Sequence, residues 1–185
     1  MRTAVVVVCL AVALIVVAGC STLNTFGSML GSQVTFTQPQ LQRSLDRSFP
    51  KEYDKLAGLV TLRLDKPSLS IPYDSSRLRL SLDATALTAA SSQARPLGRI
   101  VVSSGLRFDG HTLGLHLQDP KIEAIENAGS ALNASSRDLI NAWLAAFAED
   151  EPIYRLDQDL VQRLVSRRIG AARIDNGVVT LDVSQ

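Results

Sequence analysis

The residue in this chain best placed to do chemistry is Cys20. It closes the stretch Val17-Ala18-Gly19-Cys20, at the end of fifteen apolar residues, Ala4 to Ala18, that stand behind a single basic side chain, Arg2. Fifteen is short of the roughly 20 apolar residues that a helix needs to cross a bilayer. A basic start, a short apolar stretch and a pair of small residues read instead as a removable signal. Cutting there places a thiol at the start of the mature chain.

An aliphatic residue, two small residues and a cysteine resemble the lipobox of bacterial lipoproteins. The resemblance implies that the Cys20 thiol takes a diacylglycerol by thioether, that the preceding peptide is removed, and that the freed amine is acylated, with palmitate the expected chain. At about 0.8 kcal/mol per buried methylene, one chain holds a protein reversibly and two or more hold it stably. The competing readings are an uncleaved anchor helix and a plain secretory signal with a chance cysteine, and the short apolar run argues against them. An aspartate after the lipidated cysteine would retain the protein at the inner membrane in enteric bacteria. Ser21 there points to the outer membrane, on its periplasmic face.

Other reactive groups are few. His111 and His116 are the only imidazoles, and five residues apart on a strand they face opposite ways, so they do not chelate one metal together. Neither has a ligand or catalytic motif around it, and both are expected to be solvated or locally hydrogen-bonded. The chain has no Gly-x-Ser-x-Gly elbow, phosphate-cradling loop or His-Glu-x-x-His, so no enzyme, metal or cofactor is expected. Glu149-Asp150-Glu151 reads as a solvated loop, and Arg167-Arg168 as cations at a helix C-terminus, where the dipole favours them. Cys9 lies within the signal, which leaves no thiol pair. Without Arg2 the 19 basic residues become 18, equal to the 18 acidic ones, and a neutral chain is a poor match for nucleic acid.

The elements that must position these residues begin after a tether. Residues 1–19 are the signal, 20–33 a small, polar, Gly/Ser-rich lipidated tether, and 34–185 a single domain. Val34 to Thr37 reads as a strand ending at a helix N-cap, with Gln40 three residues on, Pro39 in the first turn, and Leu41, Leu45 and Phe49 on one face. Val60, Leu62 and Leu64 alternate inward, but beyond Pro67 the apolar parity switches to Leu69 and Ile71, which requires a bulge near Lys66-Pro67. After a turn at Pro72 to Ser76, Leu78, Leu80 and Leu82 return as a hairpin. Ser91 to Pro96 reads as a loop. Ile100 to Phe108 and Leu113 to Leu117 flank a turn at Asp109-Gly110. Ser135 is expected to cap a helix with the stripe Leu139, Ile140, Trp143, Leu144 and Phe147. A short extended piece, Pro152 to Leu156, precedes a helix from Gln158 to Ile169 capped by Gly170, and a hairpin around Asp175-Asn176-Gly177 turns Val179, Leu181 and Val183 inward.

Five strands of about 10 residues present a dry face near 800 Å², whereas roughly 35 helical residues cover about 500 Å². The sheet therefore either curls around a helix or leaves an apolar groove. The lipobox, TFTQPQLQRSL, LINAWLAAFAEDEPIYRLD and the terminal GVVTLDV resemble, in order and spacing, the YceB-like periplasmic lipoproteins, a family of undefined function. The resemblance implies an α+β fold: a long, strongly curved antiparallel sheet wrapped around one or two amphipathic helices, like the tubular lipid-binding domains. The leading expectation is then an outer-membrane-anchored periplasmic lipoprotein that binds a lipid or acyl-chain ligand in a groove lined by Leu62, Leu80, Val102, Leu115 and Trp143. The alternative is a non-enzymatic accessory with a filled core and an exposed apolar patch that docks another envelope protein.

Overall fold

The computed structural model describes residues 29–30, 32–55, 60–88, 91–128, 132–164 and 166–184, so Cys20, the signal and most of the expected tether lie outside the described residues. In chain order the elements are β1 (Met29–Leu30), β2 (Gln33–Thr37), α1 (Gln38–Ser48), β3 (Lys51–Lys55), β4 (Val60–Ser70), β5 (Leu78–Thr88), β6 (Ser91–Asp109), β7 (Gly114–Glu126), α2 (Ala134–Asp150), β8 (Tyr154–Arg155), α3 (Gln158–Leu164), β9 (Arg168–Asp175) and β10 (Val178–Ser184). The fold is α+β. One open antiparallel sheet has the order β3-β4-β5-β6-β7-β8, and a smaller antiparallel sheet the order β1-β2-β10-β9. The smaller sheet begins inside the expected tether, since Met29 pairs with Val34 and Leu30 with Gln33.

Alternation decides the strands. Leu62 and Leu64 are buried on β4, Leu78, Leu80 and Leu82 on β5, and Val179, Leu181 and Val183 on β10. The parity switch on β4 is a bulge: Asp65 pairs with Asp83 but Ser68 with Ser81, and Lys66 takes a left-handed φ of 50°. β3 pairs with β4 only from Val60 to Leu64, and α1 covers the edge beyond it. Gln42 donates Nε2 to the Pro67 carbonyl at 2.8 Å and accepts the Leu69 N–H at 2.7 Å. A polar helix residue thus satisfies backbone groups that β3 does not reach. Ser104 likewise satisfies backbone groups at the β6–β7 irregularity, accepting the Gln118 N–H at 3.0 Å with its hydroxyl 2.9 Å from the Gln118 carbonyl.

The helices follow their caps. Gln40 accepts the Thr37 N–H at 2.8 Å and opens α1. Asn133, not Ser135, caps α2, its side-chain oxygen accepting the Ser136 N–H at 2.9 Å. An Asn two residues upstream competes for the same orphan donors. Asp157 caps α3 by accepting the Leu160 N–H at 2.8 Å. The expected helix to Ile169 stops at Leu164, and Gly170 lies in β9 instead of capping it, because Ile169 pairs with Val183 across the sheet. Ser91 to Pro96 is likewise strand, not loop, paired with Ala86 and its neighbours on β5. Both differences have one cause: pairing with the strand adjacent in the chain outweighs local turn composition.

One hydrophobic core joins all of this. Val34 and Phe36 from β2, Leu41 and Leu45 from α1, the inner faces of β4 to β7, the stripe of α2, Leu160 and Leu164 of α3 and the inner face of β10 belong to the same cluster. The ring of Trp143 lies 5.3 Å from that of Phe147, which lies 6.0 Å from Phe49.

Candidate functional site

The five residues expected to line a groove are brought together, but as core. Leu62, Leu80, Val102 and Leu115 are 0 % exposed and Trp143 is 3 % exposed. Leu80 and Val102 are direct cross-strand partners on β5 and β6, and the α2 stripe packs within the same cluster. None of the five lines a described cleft.

A cleft of about 530 Å³ opens instead along the outer edge of that packing, between α2 and β7. Its size falls among those of small-molecule sites. Leu117, Pro120 and Ile122 line it from β7, and Asn141, Leu144, Ala145 and Ala148 from α2. Leu117 and Leu144 are buried and form an apolar floor, while Ala145 on the wall is exposed.

Arg107 and Glu149 close one end. Helix C-termini leave carbonyls unpaired and carry partial negative charge. Arg107 answers both, donating Nη2 to the Ala148 carbonyl at 3.2 Å and the Glu149 carbonyl at 3.3 Å, with Glu149 Oε2 at 3.2 Å. Its Nη1 meets Asp109 Oδ2 at 3.5 Å. The guanidinium is therefore committed to the helix end and its acids. Glu149 and Glu151 are not simply solvated, since Glu151 pairs with Lys51.

Beside Arg107 on the neighbouring strand is His116, which the structure buries completely. Both faces of β7 are covered at this point: Gly114, Leu115, His116 and Leu117 are all buried. Burial pushes the His116 pKa below its ordinary value, and the Arg107 charge pushes the same way. The Ala148 carbonyl and Asp109 oppose them, and Arg155 adds to the lowering. The Ala148 carbonyl favours a proton on the ring without meeting hydrogen-bond geometry at Nδ1. His111, by contrast, is exposed in the β6–β7 turn, where Asp109 Oδ1 accepts its backbone N–H at 2.7 Å. Among the described residues no group of three or more His, Cys, Asp or Glu is placed to hold a metal. No described helix is long and apolar enough to cross a membrane.

The sequence reading missed Arg107 and the cleft. Its alternation places Arg107 on the opposite face from Leu106, but nothing local indicates that the end of α2, more than forty residues on, lands over it.

No protein-family model matches the chain, and no curated protein matches it.

Proposed function

We propose that this chain is a non-enzymatic lipoprotein of the cell envelope, anchored through acylated Cys20 at the periplasmic face of the outer membrane, whose domain has a filled interior and works through surface clefts toward an envelope partner. The lipobox resemblance supports the anchor. The observation that carries the rest is the burial of Leu62, Leu80, Val102, Leu115 and Trp143 at 0 to 3 % exposure within one core, which leaves a cargo no room along those residues. Tyr73 and Leu113, the exposed large hydrophobics among the described residues, stand apart in two different turns. Recognition is thus assigned to polar and charged cleft walls, since isolated exposed apolar residues are normal on a surface.

A second reading keeps the lipid ligand and moves it. The apolar floor of the α2–β7 cleft, Leu117 and Leu144 with Ile122 beside them, suits an acyl chain lying between helix and sheet. In this reading the six-stranded sheet curves around α2 as in the tubular lipid-binding domains, and the YceB-like resemblance supports it.

Native mass spectrometry and lipid extraction of the full chain, purified from membranes in a neutral detergent, test the choice. The filled-core reading predicts the mass of the acylated protein alone. One phospholipid or fatty acid per chain, lost in Ala145→Trp, which plugs the cleft from its exposed wall, would overturn it in favour of the second.

A further inference from the structure

A second cleft, of about 500 Å³, lies between α1 and the segment around β8. Its chemistry differs from that of the first. Arg43 and Arg47 approach it from one face of α1, and Arg155 from β8, more than a hundred residues away in the chain. Tyr154 holds the two walls together: its half-buried ring packs 5.0 Å from that of Phe36 on β2, the strand that leads directly into α1.

The charges are out of balance. Like charges four apart on a helix repel. Arg43 and Arg47 each turn Nε back to an α1 carbonyl, of Pro39 and of Arg43, both at 3.1 Å. Among the described residues neither Arg47 nor Arg155 forms an ion pair with a carboxylate. The acid in the lining is Asp157, and one of its oxygens is engaged as the cap of α3. Burial and the Asp157 charge both raise the Tyr154 pKa, so the phenol keeps its proton and serves as a donor. Ser44 adds a hydroxyl to the same wall.

We propose that this cleft is a binding site for a phosphate group, held by the guanidinium groups of Arg47 and Arg155 with the Tyr154 hydroxyl donating a further hydrogen bond. Guanidinium forks match phosphate oxygens in geometry. Arg47 and Arg155, neither in an ion pair among the described residues, leave positive charge in the cleft that a phosphate group offsets, as a monoester or as a diester. The volume falls within the range of sites for small organic ligands, so the phosphate arrives as part of a larger molecule, either a soluble phosphate monoester or a phospholipid headgroup.

The test titrates the full chain, in a neutral detergent and at constant ionic strength, with inorganic phosphate and separately with glycerophosphoglycerol, a headgroup diester. Arginine side-chain Nε–Hε resonances report binding. The expected result is saturable shifts at Arg47 and Arg155, with affinity reduced roughly tenfold in Arg155→Gln, as loss of a charge-assisted bond predicts, and unchanged in Arg167→Gln outside the cleft. Saturation by phosphate alone assigns a soluble monoester, and saturation by the diester as well assigns a lipid headgroup. Unsaturating shifts spread over the exposed arginines, or binding unaltered in both Arg47→Gln and Arg155→Gln, would overturn the proposal.

Discussion

The Thr112 hydroxyl lies 2.7 Å from Nε2 of His116, a side chain with no exposure, while Nδ1 on the other side of the same ring meets no hydrogen-bond partner among the described residues. A buried imidazole held by one nitrogen stays neutral, because charging it there means desolvating a cation. Its folded pKa lies below the ordinary 6.5. The unfolded chain therefore takes up the proton first as pH falls. The contribution of His116 to stability is complete above the ordinary value and is lost as pH drops from there toward the depressed folded value. Urea unfolding at a series of pH values should show stability declining below pH 6.5, with that part of the slope removed in His116→Gln. Equal slopes in the two proteins would show that other groups carry the acid sensitivity.

The cap of α2 gives a sharper comparison. Asn133→Ala removes the acceptor of the Ser136 N–H and should lower stability by about 1 kcal/mol. Ser135→Ala, at the residue that local sequence nominates, should change it by less than about 0.5 kcal/mol. Chemical denaturation of both variants checks the ranking, and the reverse order would return the cap to Ser135.

Glycine substitutions probe the sheet. A Cβ on Gly98, whose φ is 120°, would come within 2.5 Å of the Glu126 carbonyl oxygen. Gly98→Ala should therefore cost about 1–3 kcal/mol through strain and crowding. Gly110 in the β6–β7 turn has nothing within 4 Å of its Cβ position, and Gly110→Ala should be near neutral. Thermal melts that fail to separate the two would argue against this pairing of β6 with β7.

Much of the fold was legible because it is written locally. The alternation of Leu78, Leu80 and Leu82 survives intact as a buried face, and the parity switch between Leu64 and Leu69 marks the bulge at Lys66. The Asn176-Gly177 turn, with φ of 49° and 75°, is the close of a tight hairpin, a conformation those two residue types favour. What stayed hidden depends on pairing and placement that local composition does not signal. Ser91 to Pro96 is polar enough for a loop, yet β5 supplies it with a ladder, and Ile169 is apolar at helical spacing, yet β10 claims it. The candidate sites were least legible of all. Arg107 meets the end of α2, and Arg155 joins Arg43 and Arg47, through tertiary placement alone. Leu62, Leu80, Val102, Leu115 and Trp143 were correctly read as inward, but periodicity cannot distinguish a wall from a filled interior.

That distinction is the central claim, and Leu80→Trp combined with Val102→Trp tests it most directly. The two side chains are fully buried cross-strand partners, and overpacking a filled core costs about 1–3 kcal/mol at each site, with coupling expected between neighbours. In urea unfolding of the full chain, the account predicts a steep fall in the midpoint or no cooperative transition at all. A double variant that unfolds at the same urea concentration as the parent would mean that space for two indoles already exists there, and would contradict the filled interior.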